Sequence, residues 1–239
     1  MVKAQNPNIE LLLLAVNQLG NLVDEMVFIG GCATGLLITD AAAPPIRATK
    51  DVDAIVQVTT KADYYKLSER LRVQGFVEDT SDGAPLCRWV TENVILDVMP
   101  TEANILGFGN QWYTAAMDNA EIIPLLGKVD IRMVSAPYFL ITKLEAFDGR
   151  GNGDFILSHD IEDIIAVMDG RSELIKEVGQ SESVLVNSLA TRFNNLLKDQ
   201  SFVDAVSGHM PTDEVSQNRV ARILDIVKMI SEMNLMGKQ

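Results

Sequence analysis

Three aspartates stand out by their surroundings. Asp51 and Asp53 flank Val52 at the start of the apolar run Ala54-Ile55-Val56, and Asp97 interrupts the run Val94-Ile95-Leu96-Asp97-Val98. Residues two apart on a strand project from the same face. Asp51 and Asp53 therefore share one face of a strand expected over 51–58, and Val52, Ala54, Val56 and Val58 share the other. Two bare carboxylates that close repel each other unless a cation lies between them or water screens them. A carboxylate in the middle of an apolar strand needs a partner, and for Asp97 taken alone that partner is either a Lys or Arg side chain or a metal ion. Mg²⁺ takes oxygen ligands and commonly shares them with substrate phosphates; Mn²⁺ is the alternative ion. Three carboxylates on one face of adjacent strands suit a two-metal reaction. One cation activates an acceptor hydroxyl and the other holds a triphosphate and its leaving pyrophosphate. Asp97, beside the attacking oxygen, would then assist its deprotonation.

A second feature is the pair Gly30-Gly31, which ends the apolar run Met26-Val27-Phe28-Ile29 and precedes a helix expected over 32–38. Without Cβ atoms such a turn lets backbone N–H groups approach a phosphate, and the following helix start favours negative charge. A Gly-Gly pair also serves as a plain turn. Further along, Lys143, Arg150, Asp154 and the stretch Ser158-His159-Asp160 gather charge around a predicted helix start. Read from the residues, this is a Ser-capped helix with acids in its first turn, favoured by the helix dipole. Lys143 could lie over apolar surface, and His159 reads as solvent-facing. Trp89, Trp112 and Tyr113 could stack on a base, although core packing is the commoner use of such rings.

The elements that must carry these residues follow from periodicity. Helices are expected over 8–24 and 32–38, and another opens at Thr60, with Asp63 three residues on as in a capping box. Strands are expected over 26–29, 51–58, 76–78, 86–90, 94–99 and 131–134, with Val94, Leu96 and Val98 facing away from Asp97. From Ala136 onward the pattern is helical, with helices expected from Pro137 to about Phe147, after Ser158, over 184–197 and over 215–233. The fold class is therefore α+β: a mixed sheet flanked by helices in a core domain, 1–135, followed by a helical C-terminal domain, 136–239.

The motif Arg47-Ala48-Thr49-Lys50-Asp51-Val52-Asp53, preceded by Gly30-Gly31 and followed by Asp97, resembles the nucleotidyltransferase superfamily typified by DNA polymerase beta. Within it, the sequence is similar to the AbiEii-type nucleotidyltransferases of type IV toxin–antitoxin systems. Arg47, Thr49, Asp51 and Asp53 match the family's Arg-x-Thr-x-Asp-hydrophobic-Asp element, and the resemblance extends over about residues 25–170. It implies a nucleotide cleft between sheet and helical part. Asp51, Asp53 and Asp97 would bind Mg²⁺, and Gly30, Gly31, Arg47 and Thr49 would contact a nucleoside triphosphate. Lys143, Arg150 and Asp160 would complete the nucleotide site, and Lys143 would also be catalytic, neutralising phosphate charge together with the metal ion. Where many members carry Ser, this chain has Gly31, so backbone N–H groups would replace a hydroxyl contact. The acceptor implied is an RNA end or a protein side chain, or a small molecule as in antibiotic-modifying members. A toxin role would add a protein antitoxin as partner.

Composition bounds these readings. A net charge of −13 repels nucleic acid at long range and favours a protein or small-molecule acceptor over RNA. The two cysteines, Cys32 and Cys87, show no zinc-ligand spacing and fit the reducing cytoplasm. The run Leu11-Leu12-Leu13-Leu14 is too short to span a membrane, and residues 1–7 lack the layout of a signal peptide. A nucleotide-binding or interaction module without catalysis is the competing expectation.

Overall fold

The computed structural model describes residues 7–125 and 129–236, with side chains described as far as residue 233. Residues 1–6, part of the stretch read for a signal peptide, lie outside the described residues. The chain forms two compact units: one from the residues up to Leu36 with Arg47–Ser135, the other from Leu37–Ile46 with the chain from Ala136 onward.

The first unit is built on a seven-stranded mixed sheet in the order β3-β4-β5-β2-β1-β7-β6. The strands are β1 (Met26–Ile29), β2 (Val52–Val56), β3 (Val77–Glu78), β4 (Arg88–Val90), β5 (Ile95–Pro100), β6 (Glu121–Pro124) and β7 (Asp130–Met133). β2 lies parallel to β5 and antiparallel to β1, and β1 lies parallel to β7. Val52, Ala54, Leu96 and Val98 are fully buried, as their alternation required. The helices are α1 (Pro7–Leu19), α2 (Gly31–Leu37), α3 (Lys61–Val73), α4 (Ala103–Leu106) and α5 (Tyr113–Asp118). In α1 the buried stripe is Ile9, Leu12, Val16 and Leu19. α1 stops at Leu19 rather than near residue 24, because Gly20 turns to φ +55° and the chain continues as a 3₁₀ helix over Gly20–Glu25. Thr60 caps α3 as expected, its hydroxyl accepting from the Asp63 N–H at 3.1 Å. Strand β6 left no pattern in the sequence. It is an edge strand with Glu121, Ile122 and Pro124 all exposed, so nothing imposes alternation.

The second unit is helical: α6 (Ala136–Arg150), α7 (His159–Gly170), α8 (Leu174–Gln180), α9 (Ser183–Leu197), α10 (Gln200–Gly208), α11 (Glu214–Gln217) and α12 (Val220–Met236). α12 packs on α9, α8 and α7 through Ile223, Val227 and Ile230, all fully buried. The single helix expected over 215–233 is two, because Asp213 caps the short α11, accepting from the Ser216 N–H at 3.0 Å. The segment Leu37–Ile46 is tied to this unit by backbone and charge. Thr39 N and Asp40 N donate to the Gly170 carbonyl at 2.9 and 2.8 Å. Gly170 is needed there, since a Cβ would fall 2.7 Å from Ile38 Cγ2. Arg219 then bridges Asp40 at 2.8 Å and the buried Asp169 at 2.7 Å. No helix among the described residues is long and apolar enough to cross a membrane.

Removing one partner of a buried ion pair leaves the other charge stranded. Arg219→Ala is therefore expected to lower the unfolding free energy of the helical unit by about 3–5 kcal/mol, read from the denaturant midpoint. Asp40→Ala, which removes the half-buried partner and leaves Arg219 on the buried Asp169, should cost less.

Candidate active site

The sheet brings the three aspartates onto one face through two registers. β2 and β5 run parallel with Asp53 opposite Asp97, and Asp51 lies two residues before Asp53, just ahead of the strand. The second register is local. Thr91 and Val94 close the β4–β5 hairpin, Thr91 N donating to the Val94 carbonyl at 2.9 Å, and this sets Arg88 opposite Asp97. Asp97 is thus flanked on one side by Asp53 and on the other by Arg88.

Arg88 was not singled out in the sequence, yet it organises the cluster. Its Nε donates to Asp97 Oδ1 at 2.8 Å, and its Nη2 donates both to Asp97 Oδ2 and to Asp51 Oδ2, each at 2.8 Å. The remaining Asp51 oxygen, Oδ1, accepts from the Thr49 hydroxyl at 2.8 Å. Hydrogen bonding to Asp97 and the nearby charges of Asp97 and Asp51 push the Arg88 pKa above its already high value, so it stays a cation. The signal that would have found Arg88 was present. Two strands joined across residues 91–94 must pair Val90 with Ile95, Trp89 with Leu96 and hence Arg88 with Asp97.

The glycine turn sits against the same aspartates. Gly30 has φ +75°, a left-handed conformation, and an added Cβ would lie only 1.9 Å from Asp53 Oδ2. The Asp53 carboxylate therefore rests directly over the Gly30 backbone. A Cβ on Gly31 would come 3.2 Å from Arg47 Nη2 and 3.4 Å from Thr49 Oγ1. The turn, Arg47, Thr49 and the aspartates accordingly form one locality. A further residue the sequence reading passed over holds it. Asn8, buried on α1, donates through Nδ2 to the Arg47 carbonyl at 3.0 Å and accepts from Thr49 N at 2.9 Å. Its side chain satisfies the backbone on both sides of Ala48 and fixes a loop with no regular structure of its own.

The three carboxylates share a face, but they do not close on one point. Among the described residues no group of three or more His, Cys, Asp and Glu side chains is drawn together as a metal site. Asp51 and Asp97 meet on Arg88, and Asp53 lies over Gly30. Next to the cluster, Cys87 is buried, and burial together with the charges of Asp97 and Asp53 pushes its thiol up to about 12. A neutral thiol is not a nucleophile.

Lys143, Arg150 and Asp160 form a second cluster, within the helical unit. The Lys143 ammonium is buried and donates to Asp160 Oδ1 at 3.0 Å and to Asp163 Oδ2 at 2.7 Å. Arg150, with its side chain 70% exposed, spans the Asp160 carboxylate through Nε at 2.8 Å and Nη2 at 2.7 Å. Burial acts to raise the Asp160 pKa, but hydrogen bonding from Arg150 and the Lys143 charge outweigh it and hold it below the ordinary value. Asp163 enters the cluster from the same helix, α7, and no local pattern in the sequence marks it. His159 is solvent-facing, 3.1 Å from Glu162. Of the rings, Trp89 is fully buried in the core, and Tyr113 donates its hydroxyl to Met99 Sδ at 3.1 Å.

No protein-family profile matches the sequence, and no curated protein matches it. Among solved structures, one described as a "putative nucleotidyltransferase from H. pylori" is 14% identical, covers 99% of each chain and has a TM-score of 0.46.

Gly30→Ala is expected to be destabilising on two counts. Left-handed backbone costs about 1–2 kcal/mol for an L residue, and the new methyl must expel the Asp53 carboxylate; thermal denaturation reads the sum. For Asp160 the sign is as follows. Its folded pKa is depressed, so its stabilisation is present above the unfolded value of 3.8 and is lost as pH falls through the folded value. Asp160→Asn should therefore lower the melting temperature near neutrality and flatten its acid dependence below about pH 4. A melting-temperature series from pH 7 downwards checks this.

Proposed function

We propose that the face of β2 and β5 carrying Asp51, Asp53 and Asp97 is the catalytic centre of a divalent-cation-dependent nucleotidyltransferase, which moves a nucleoside monophosphate from a triphosphate to an acceptor hydroxyl. One observation carries this reading: Asp53 and Asp97 are paired in register on adjacent strands, with Asp51 on the same face and the Gly30 turn against Asp53. The donor set suits Mg²⁺ or Mn²⁺. Carboxylate oxygens are the ligands such ions take, and Asp51 Oδ2 and Asp97 Oδ2 already converge on a single cationic atom, Arg88 Nη2. Asp51, Asp53 and Asp97 would hold the ion. When bound, it supplies charge neutralisation of the triphosphate and acidifies the acceptor hydroxyl.

The chain's own groups do the rest. Backbone N–H groups of the Gly30-Gly31 turn, unobstructed by Cβ atoms, face the phosphates, with Arg47 and Thr49 beside them. An Asp97 oxygen accepts the proton of the acceptor hydroxyl. The acceptor oxygen bonds to the α-phosphorus, the bond from that phosphorus to the bridging oxygen breaks, and pyrophosphate leaves. Of the two second-unit cations expected to meet phosphate, Arg150 is exposed and Lys143 is buried on Asp160 and Asp163. This supports Lys143 as the group that fixes Asp160 within the helical unit.

The net charge of −13 favours a protein side chain or a small molecule as acceptor over an RNA end. A toxin role with a protein antitoxin belongs to the same proposal, and it predicts growth arrest on expression of the chain that Asp53→Asn relieves.

A second reading has its own support. Arg88 already supplies a cation to Asp51 and Asp97, as would suit a nucleotide-binding or interaction module that performs no transfer. Incubation with α-labelled triphosphates, Mg²⁺ or Mn²⁺, and protein, RNA and aminoglycoside acceptors separates the two. The first predicts labelled product, reduced by about 10²–10³-fold or more in Asp53→Asn and Asp97→Asn. Triphosphate binding without transfer to any acceptor, unchanged in those variants, supports the second.

A further inference from the structure

Each oxygen of Asp51 and Asp97 is already engaged. Asp97 Oδ1 and Oδ2 accept from Arg88 Nε and Nη2, Asp51 Oδ2 accepts from the same Nη2, and Asp51 Oδ1 accepts from Thr49 Oγ1. Arg88 is the in-register neighbour of Asp97, so this is the grip of a residue built into the strand and not a chance surface contact. The arrangement is partly buried, with side-chain exposures of 10% for Asp97, 22% for Arg88 and 32% for Asp51. A divalent ion bound to these oxygens would sit within a few ångströms of the guanidinium, and two cations that close in a partly buried site repel strongly.

We infer that Arg88 is a resident cation which a divalent ion must displace, so that it gates loading of the site. This rests on the reading that Asp51, Asp53 and Asp97 hold a divalent ion. Without the ion, Arg88 relieves the repulsion between the Asp51 and Asp97 carboxylates. Loading requires the guanidinium to release both. A triphosphate offers it a replacement, because guanidinium binds phosphate oxygens as readily as carboxylate. Nucleotide and ion therefore enter together more tightly than the ion enters alone, a coupling that acts equally in both directions. A residue that merely positioned Asp97 would have the opposite signature, since its loss would weaken the ion.

The test is Mn²⁺ binding followed by electron paramagnetic resonance, on the full chain as wild type, Arg88→Gln, Arg88→Lys, and Arg88→Gln combined with Asp97→Asn. The expected result is about tenfold or tighter binding of Mn²⁺ alone to Arg88→Gln than to wild type, lost again in the double variant. Addition of a non-hydrolysable triphosphate analogue should tighten Mn²⁺ in the wild type and do so much less in Arg88→Gln. In the wild type, ¹⁵N NMR should show the Arg88 Nε–H slow to exchange without Mg²⁺ and released at saturation, a readout that needs no variant. Binding by the wild type that is equal or weaker in Arg88→Gln, or an Nε–H unchanged at saturation, overturns the gate and leaves the metal site standing. No Mn²⁺ bound by wild type or Arg88→Gln, with or without the nucleotide analogue, overturns both.

Discussion

The pairing of β2 with β5 is the constraint on which the candidate site depends. Parallel strands of one sheet are locked by slanted hydrogen bonds, and a slip of one residue would turn every side chain to the other face. The register that buries Val52, Ala54, Leu96 and Val98 is the one that sets Asp53 opposite Asp97. Apolar packing on one side of the sheet thus fixes the position of charge on the other. The cost of gathering that charge is met by Arg88, delivered by the adjacent hairpin to the one place where it can touch Asp51 and Asp97 together.

The loop before β2 follows a different logic. Residues 47–51 have no regular structure, and a loop of this kind is held only by what satisfies its backbone. Asn8 does this from α1, and the Thr49 hydroxyl orients Asp51. The glycine turn is then free to lie close against these groups, because neither Gly30 nor Gly31 carries a side chain to hold it off. A single buried amide therefore connects the helix, the loop and the turn.

The helical unit is also organised by buried charge. Lys143 with Asp160 and Asp163, and Arg219 with Asp169 and Asp40, are networks in which every charged group has an oppositely charged partner. Such networks add little net stability compared with apolar packing of equal volume, yet losing one member is costly. Their effect is to make particular pairings of helices and loop the only satisfactory ones. The return of Leu37–Ile46 to this unit is an instance, since Asp40 and two backbone N–H groups have their partners on residues 169–219.

Much of this was legible from one sequence. The alternation around Asp51, Asp53 and Asp97 identified the strands and the face, the glycine pair marked the turn, and Thr60 and Ser158 marked helix starts. These are local signals, carried by spacing and backbone preference, and a linear chain contains them in full. Arg88 was half legible, since the hairpin register follows from its turn, but its reach across to Asp51 does not. Asn8 and Asp163, and the commitment of Lys143 to two buried carboxylates, left no local trace. Their partners lie 17–41 residues away, and which polar groups must satisfy one another is decided only when burial removes water from around them. The sequence by itself determined which residues could bear charge on a common face. Tertiary structure alone decided which opposite charge each of them would meet, because the choice of partner depends on distance and dielectric in three dimensions and not on position along the chain.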